Sequence, residues 1–299
     1  MPRARSRALV HGQAAPGPIE NAIKILVLGV LCLVVIVPFL TVVSTSLAPR
    51  EQISAAGGLV LLPRGIDLSA YRALFSGGVV SRALGVSIGV TVVGTALSLF
   101  VSCLLAYATS RPYFVLARPV LLVVLIGMLF SPGIIPVYLV VKQTGLLDSL
   151  WALIIPTMVS GFNVIVLRSF FQGIPAELTE SATIDGAGEW GVFARIVLPL
   201  SKAPLAVVGL FYAVGYWNSF FTALLYISDA AKWPMQLVLR TYVVNDAAMG
   251  QAELATENLP PQSSLQMAIL VVSMVPILLI YPFLQRHFAK GVLTGAVKG

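Results

Sequence analysis

The chain has 299 residues, of which 58% are hydrophobic and only 10% charged, against about 25% charged in soluble domains. So much apolar surface cannot be hidden inside one water-facing globule, which leaves an integral membrane protein. The net charge of +7 has a membrane explanation, given below, that needs no nucleic acid.

The chain opens with a segment at 1–24 whose "PRARSR" reads as the cytoplasmic anchor of a first span at 25–43. A cleaved signal peptide fits less well, because the apolar run is longer than a usual h-region and the small-residue pattern after it is weak. A loop at 44–82 follows, long enough for small amphipathic pieces but not for a domain. Further charge-free windows lie at 83–106, 119–141, 203–228 and 263–284. A sixth, at 149–167, is bounded by Asp148 and Arg168 and has 19 residues. At about 1.5 Å per residue that covers roughly 29 Å, the thickness of a hydrocarbon core. In the third window "SPGIIP" places Pro132, Gly133 and Pro136 in the second half, which predicts a kinked or broken helix. The loop at 229–262 contains "TENLPPQSS", and a tail at 285–299 ends the chain. The fold class expected is all-α: a polytopic membrane protein with six transmembrane helices over 25–284.

Orientation follows from lysine and arginine. With a cytoplasmic N-terminus, the inside segments (1–24, 107–118, 168–202 and 285–299) carry 12 Lys+Arg and 5 Asp+Glu, and the outside segments 7 and 7. The whole excess of positive charge then lies inside, as membrane insertion favours. Both termini are expected in the cytoplasm.

Several chemistries have no support. No G-x-x-x-x-G-K-[ST] occurs, so the chain has no P-loop to hydrolyse ATP. "GVSIG", Gly85 to Gly89, matches a nucleophile elbow by letter but lies inside a span, where glycine and serine serve helix packing. Cys32 and Cys103 sit in apolar runs, and His11 and His287 lie outside the spans. No catalytic residue, metal or cofactor is expected. No span holds Asp, Glu, Lys, Arg or His, which argues against a self-powered secondary transporter. What remains is a pathway for an uncharged solute, or one that draws its energy from another protein.

One inside segment breaks the charge pattern. Over 168–202, Arg168, Arg195 and Lys202 stand against Glu177, Glu180, Asp185 and Glu189. Anionic headgroups repel such a segment, so a protein is its natural neighbour. Pro175 suits the first position of a helix and Glu177 its first turn. That helix is expected over 175–187, ending near Gly188 in a left-handed residue. A second helix carries Trp190, Phe193, Ala194 and Val197 as one apolar stripe, and Pro199 marks its end. The pair spans about 175–199 and is shaped either to dock a partner or merely to stitch two spans.

These residues carry a resemblance. "ESATIDGAGEWGVFARIVLPL" resembles the EAA signature of ABC-transporter membrane subunits: Glu-Ala-Ala, three residues, Gly, nine residues, Ile-x-Leu-Pro. Glu180, Ser181 and Ala182 open it, with serine for the middle alanine, and Asp185 precedes its glycine, Gly186. Ile196, Leu198 and Pro199 complete it. Together with "GLLDSLWALIIP", "FNVIVLRSFFQGIPAEL", "YWNSFF" and "YPFLQRHFAKGVLTGAVKG", it makes nearly the whole chain similar to carbohydrate-uptake permeases of the MalG type, in their LplC/YtcP-like branch. The resemblance implies the six-helix MetI-like importer fold in a bacterial plasma membrane. It also implies a motif helix seated in a cleft of an ABC ATPase subunit, a second permease subunit that is a different chain, and an extracytoplasmic sugar-binding protein. Membrane lipid is the remaining partner, and nucleic acid is not one.

A second candidate lies in the fifth window. Tyr216, Trp217 and Asn218 offer an aromatic face and an amide at bilayer depth, suited to a sugar in a translocation path. Helix–helix packing is the competing role for the same residues. The function expected is an ABC importer permease for a carbohydrate, with an oligosaccharide as its substrate. Another uncharged solute, or a channel or scaffold without an ATPase, stand as alternatives.

Overall fold

The computed structural model describes residues 9–10, 13–14, 18–249, 254 and 259–296, with side chains described over 18–249, 254 and 259–280. Helices account for about three quarters of them. The one sheet among these residues is a two-residue antiparallel pairing of Leu9–Val10 with Gln13–Ala14.

The chain divides into two compact units, the first formed by residues 1–70 and 260–268. Helix α1 (Pro18–Leu47) begins on a proline, whose missing N–H and fixed φ suit the first turn. Every residue from Pro18 to Leu40 is exposed, an apolar length that only lipid or another subunit can cover. Beyond it, α2 (Arg50–Ala55) folds back so that Ala48, Ile53 and Val60 make a small core. Thr45 Oγ1 accepts from Val60 N at 2.9 Å and donates to Val60 O at 3.2 Å. The Gln52 amide similarly donates to Leu62 O and accepts from Arg64 N, each at 2.8 Å. Side chains thus stand in for the ladder partners this loop lacks.

The second unit comprises residues 71–259 and 269–299. Following α3 (Ser69–Ser76), its axis is α4 (Val79–Ser110), which buries Val80, Ala83, Ser87, Val90, Gly94, Ser98, Ser102 and Ala106. Their spacing of three or four puts them on one face, and most are small, which lets neighbouring backbones approach closely. Within "GVSIG", Val86 packs against the core and Ser87 accepts a 2.7 Å hydrogen bond from Met235 N, whereas Gly85 and Gly89 face open space.

Three of the remaining windows contain bent or broken helices. Helices α5 (Ala117–Leu129) and α6 (Ile134–Gln143) meet at 120°. That is far sharper than a kink, because Pro132 has no N–H and Gly133 is left-handed at φ 85°. Helix α7 (Trp151–Ile154) runs through a 3-10 turn to Thr157 and breaks before α8 (Gly161–Gln172), with a 54° bend. Then come α9 (Ala176–Ile184), α10 (Glu189–Val192), a π-helical turn at Phe193–Val197 and α11 (Leu198–Leu200). An 83° bend at Ser201 leads into α12 (Lys202–Trp217). The fifth window is not one helix, because α12 stops at Asn218 and α13 (Phe220–Tyr226) restarts after Ser219. After α14 (Met235–Leu239), the final helix α15 (Gln262–Ala296) continues into the expected tail, with no break at 284. Among the described residues, three helices are long and apolar enough to cross a membrane alone, and up to six crossings result if each bent pair is one.

The α4–α12 contact is held by a double clamp. Tyr212 and Tyr216, one turn apart, meet Ser102 and Ser98, also one turn apart, at 2.6 and 2.7 Å. Tyr212 Oη also accepts from Ser160 N at 3.0 Å, and Tyr216 Oη donates to Ile154 O at 3.3 Å. Both tyrosines therefore satisfy backbone groups freed where α7 breaks from α8. A Cβ on Gly94 would lie 2.8 Å from the Tyr216 ring, so only glycine fits beneath it.

Candidate functional site

The EAA-like residues lie on an exposed helix–turn–helix. Pro175 is the N-cap residue of α9 rather than its first helical position, and α9 ends at Ile184, three residues short of the sequence expectation. The left-handed residue is Gly186, at φ 85°, and not Gly188, which is extended and caps α10. Gly186 N and Ala187 N return to Thr183 O and Ala182 O at 3.0 and 2.9 Å, closing the helix end. Nothing lies within 4 Å of where a Cβ would stand on Gly186 or Gly188. Glycine is required at 186 by its backbone conformation rather than by a neighbour in this chain.

Glu180, Ser181, Asp185 and Gly186 are exposed, while Ala182, Ala187 and Leu198 pack against the hydrophobic core. Of the expected stripe, Phe193 and Val197 are buried whereas Trp190 and Ala194 are exposed, and Val192 is buried beside them; a π-turn runs over Phe193–Val197. Ile196 is half-buried and Pro199 exposed, and the sharp bend comes at Ser201. Three large apolar side chains point outward among the acids: Leu178 (46% exposed), Ile184 (85%) and Trp190 (64%).

A network anchors the second helix to α4. Tyr107 Oη donates to Glu189 Oε2 at 2.8 Å, and the Arg111 guanidinium lies over the Tyr107 ring at 4.4 Å. Burial disfavours the Glu189 charge, but hydrogen bonds from Tyr113 and Tyr107 and the Arg111 charge outweigh it and hold the carboxyl below its ordinary range. Burial, and then Glu189 itself, push the Tyr113 hydroxyl up to about 12. A groove of about 770 Å³ beside this network is lined by Arg111, Tyr113, Thr183, Ile184 and Glu189, with Glu180 at its edge.

The three candidate path residues do not form one face. Tyr216 is 5% exposed and engaged in the clamp. Trp217 is 6% exposed and borders a small apolar cavity of about 190 Å³ with Pro276 and Ile277. Asn218 alone is exposed, its amide donating to Val214 O at 2.9 Å. A larger cavity, about 580 Å³, is lined by two of the three, Tyr216 and Asn218, together with Thr157, Ser160, Phe162, Asn163, Phe211 and Ser219 among others. Every residue lining it belongs to the windows 149–167 and 203–228. Sequence reasoning passed over Phe162, Asn163 and Phe211. The available signal was a lone amide in an apolar window, three residues after the serine that caps α8.

A helical membrane protein with an outward-facing acidic turn and an uncharged cavity between broken spans is built as a pathway component that leans on partners. Residues 81–294 match the family described as the binding-protein-dependent transport system inner membrane component, and the chain belongs to that family. It is 47% identical to the polygalacturonan/rhamnogalacturonan transport system permease protein YtcP of Bacillus subtilis (strain 168), over 89% of this chain and 94% of that one. It is 46% identical to Protein LplC of the same organism, over 95% and 96%. Among solved structures, a bacterial ABC transporter involved in the import of the acidic polysaccharide alginate contains a chain with TM-score 0.84 and 29% identity, covering 90% of this chain and 96% of that one. The protein is a multi-pass transport subunit of the MetI-like fold, and not itself an enzyme.

Proposed function

We propose that this chain is the permease subunit of an ABC importer for an oligosaccharide, and that separate ATPase subunits dock on its Glu180–Gly186 turn. The observation that carries the docking reading is the turn itself. It exposes Ile184, Leu178 and Trp190 beside four acids, a surface that neither water nor anionic lipid favours. The carbohydrate follows from relatives whose names specify polygalacturonan, arabinooligosaccharides and trehalose. An extracytoplasmic binding protein delivers the sugar, and a second, different permease chain completes the path and covers the bare face of α1. The complex sits in a bacterial plasma membrane.

The purified chain alone is expected to hydrolyse no ATP, because its sequence has no phosphate-cradling loop. It should bring down an ATPase subunit, and hydrolysis by that complex should rise with sugar-loaded binding protein. Sustained hydrolysis by the isolated subunit, or failure to retain any ATPase, would contradict the reading.

Both termini lie on the cytoplasmic side in this proposal, as the 12-to-7 division of Lys+Arg favours. A sidedness reporter fused after Gly299 is expected to give a cytoplasmic signal, and an extracytoplasmic one would require an odd number of crossings.

A further inference from the structure

The 580 Å³ cavity has the size of a small-ligand site, and its position is set by two interruptions of the membrane helices. The α7–α8 pair breaks at 158–160 and the α12–α13 pair at 218–219, and both breaks border it. Irregular backbone at membrane depth is tolerated where it lines a protein cavity, and transporters place binding sites at such breaks.

The cavity's central polar group is Asn163. It is 4% exposed and lines the cavity. Its backbone N–H reaches Ser160 Oγ at 3.5 Å, but its amide has no hydrogen-bond partner among the described residues. Although the residue as a whole is buried, its amide is not among the polar atoms sealed from solvent without a partner, so it opens onto the cavity, where a ligand's polar atoms or water can take its bonds. Other polar groups here have already spent a donor. The Thr157 hydroxyl donates to Leu153 O at 3.2 Å, Ser219 donates to Tyr216 O at 2.7 Å, and Asn218 uses one amide hydrogen on Val214 O. Their spare capacity is therefore mainly lone pairs, and Asn163 brings fresh donors. At the rim, Phe162 and Phe211 are half-exposed, with ring centroids 6.2 Å apart.

We propose that this cavity is a sugar subsite contributed by this chain, taking one pyranose ring. The ring's hydroxyls donate to the Thr157, Ser219 and Asn218 oxygens, and Asn163 donates to a ring or hydroxyl oxygen. The ring's C–H faces lie against Phe162 and Phe211, whose π-faces carry negative potential. No charged residue lines the cavity, so it reads hydroxyls and offers a carboxylate no counter-charge. This inference rests on the carbohydrate reading above.

The test uses the complete transporter, with ATPase, partner permease and binding protein, in ATP-loaded proteoliposomes. The probes are a panel of tritiated trisaccharides, neutral (galactose) and uronate (galacturonate), and the imported probe is carried forward. Asn163→Leu keeps the shape of the side chain and removes an amide this chain leaves unpaired, so the complex should assemble and melt as wild type does. Uptake per assembled complex should fall roughly tenfold, the scale of one lost hydrogen bond to a buried group. Normal uptake per complex would overturn the subsite and leave the carbohydrate reading standing. If Asn163→Leu does not assemble, Phe211→Leu at the rim decides: reduced uptake per complex supports the subsite, and normal uptake assigns the cavity to the partner permease's side chains. If the wild-type transporter imports no trisaccharide of either kind, the subsite and the carbohydrate reading fall together.

Discussion

Gly186→Trp is expected to leave the protein folded and inserted, yet to abolish productive coupling between ATP hydrolysis and uptake. Two effects add at this position. Gly186 is left-handed at φ 85°, and an L-residue there costs roughly 1–2 kcal/mol of backbone strain. The turn's outer surface is also open, with nothing within 4 Å of a Cβ at 186 or 188, so bulk there meets an approaching partner and not this chain. Packed contacts lose a quarter to a half of their attraction over a gap of roughly 0.5–1 Å. Companion variants separate the effects. Gly186→Asn supplies a residue that tolerates the left-handed region and should couple nearly normally. Gly188→Trp adds bulk where the backbone is extended at φ −71° and unstrained, and should uncouple as severely as Gly186→Trp. The measurements are retention of the ATPase on the purified complex and sugar uptake in cells. Normal retention and uptake by Gly188→Trp would show that the ATPase does not approach this surface. Single changes at Glu180 or Asp185 should matter less, since exposed ion pairs are worth about 0–1 kcal/mol.

Residues 185–188 also show what a sequence conveys and where it stops. Charge-free apolar windows and the Glu180-to-Pro199 stretch were enough to give the membrane class and a pair of short helices between the windows at 149–167 and 203–228, because hydrocarbon thickness and helix geometry leave few alternatives. Which of two glycines flanking Ala187 takes the left-handed turn was not legible, because either satisfies the same end signal, and the helix closes at Gly186. The apolar stripe of the second helix failed for a related reason. A stripe assumes 3.6 residues per turn, and the π-turn at Phe193–Val197 departs from that period from Phe193 onward. The fifth window concealed a break, because Asn218 and Ser219 carry no helix-breaking signal in an apolar run. Asn163 was visible as the one amide in its window, but that it faces a cavity is a property of three-dimensional packing.

Trp217→Ala is expected to reduce the amount of assembled complex severely while leaving uptake per assembled complex unchanged. Adjacent residues on a helix point about 100° apart, so Tyr216, Trp217 and Asn218 cannot share one face. The structure places Trp217 away from the 580 Å³ cavity and against the small apolar one with Ile277 and Pro276. It is 6% exposed, and truncating a buried tryptophan typically costs about 3–5 kcal/mol through lost contacts and the void left behind. Trp217→Phe is the control. Trp217 Nε1 is buried without a hydrogen-bond partner among the described residues, so phenylalanine loses volume but no hydrogen bond and should assemble far better than alanine. If the aromatic ring instead touched sugar, both variants would assemble normally and transport slowly. Quantifying complex in detergent extracts beside uptake in the same cells distinguishes these cases. Normal complex levels with impaired uptake in Trp217→Ala would move the path to the α4–α12 side and take it away from Asn163.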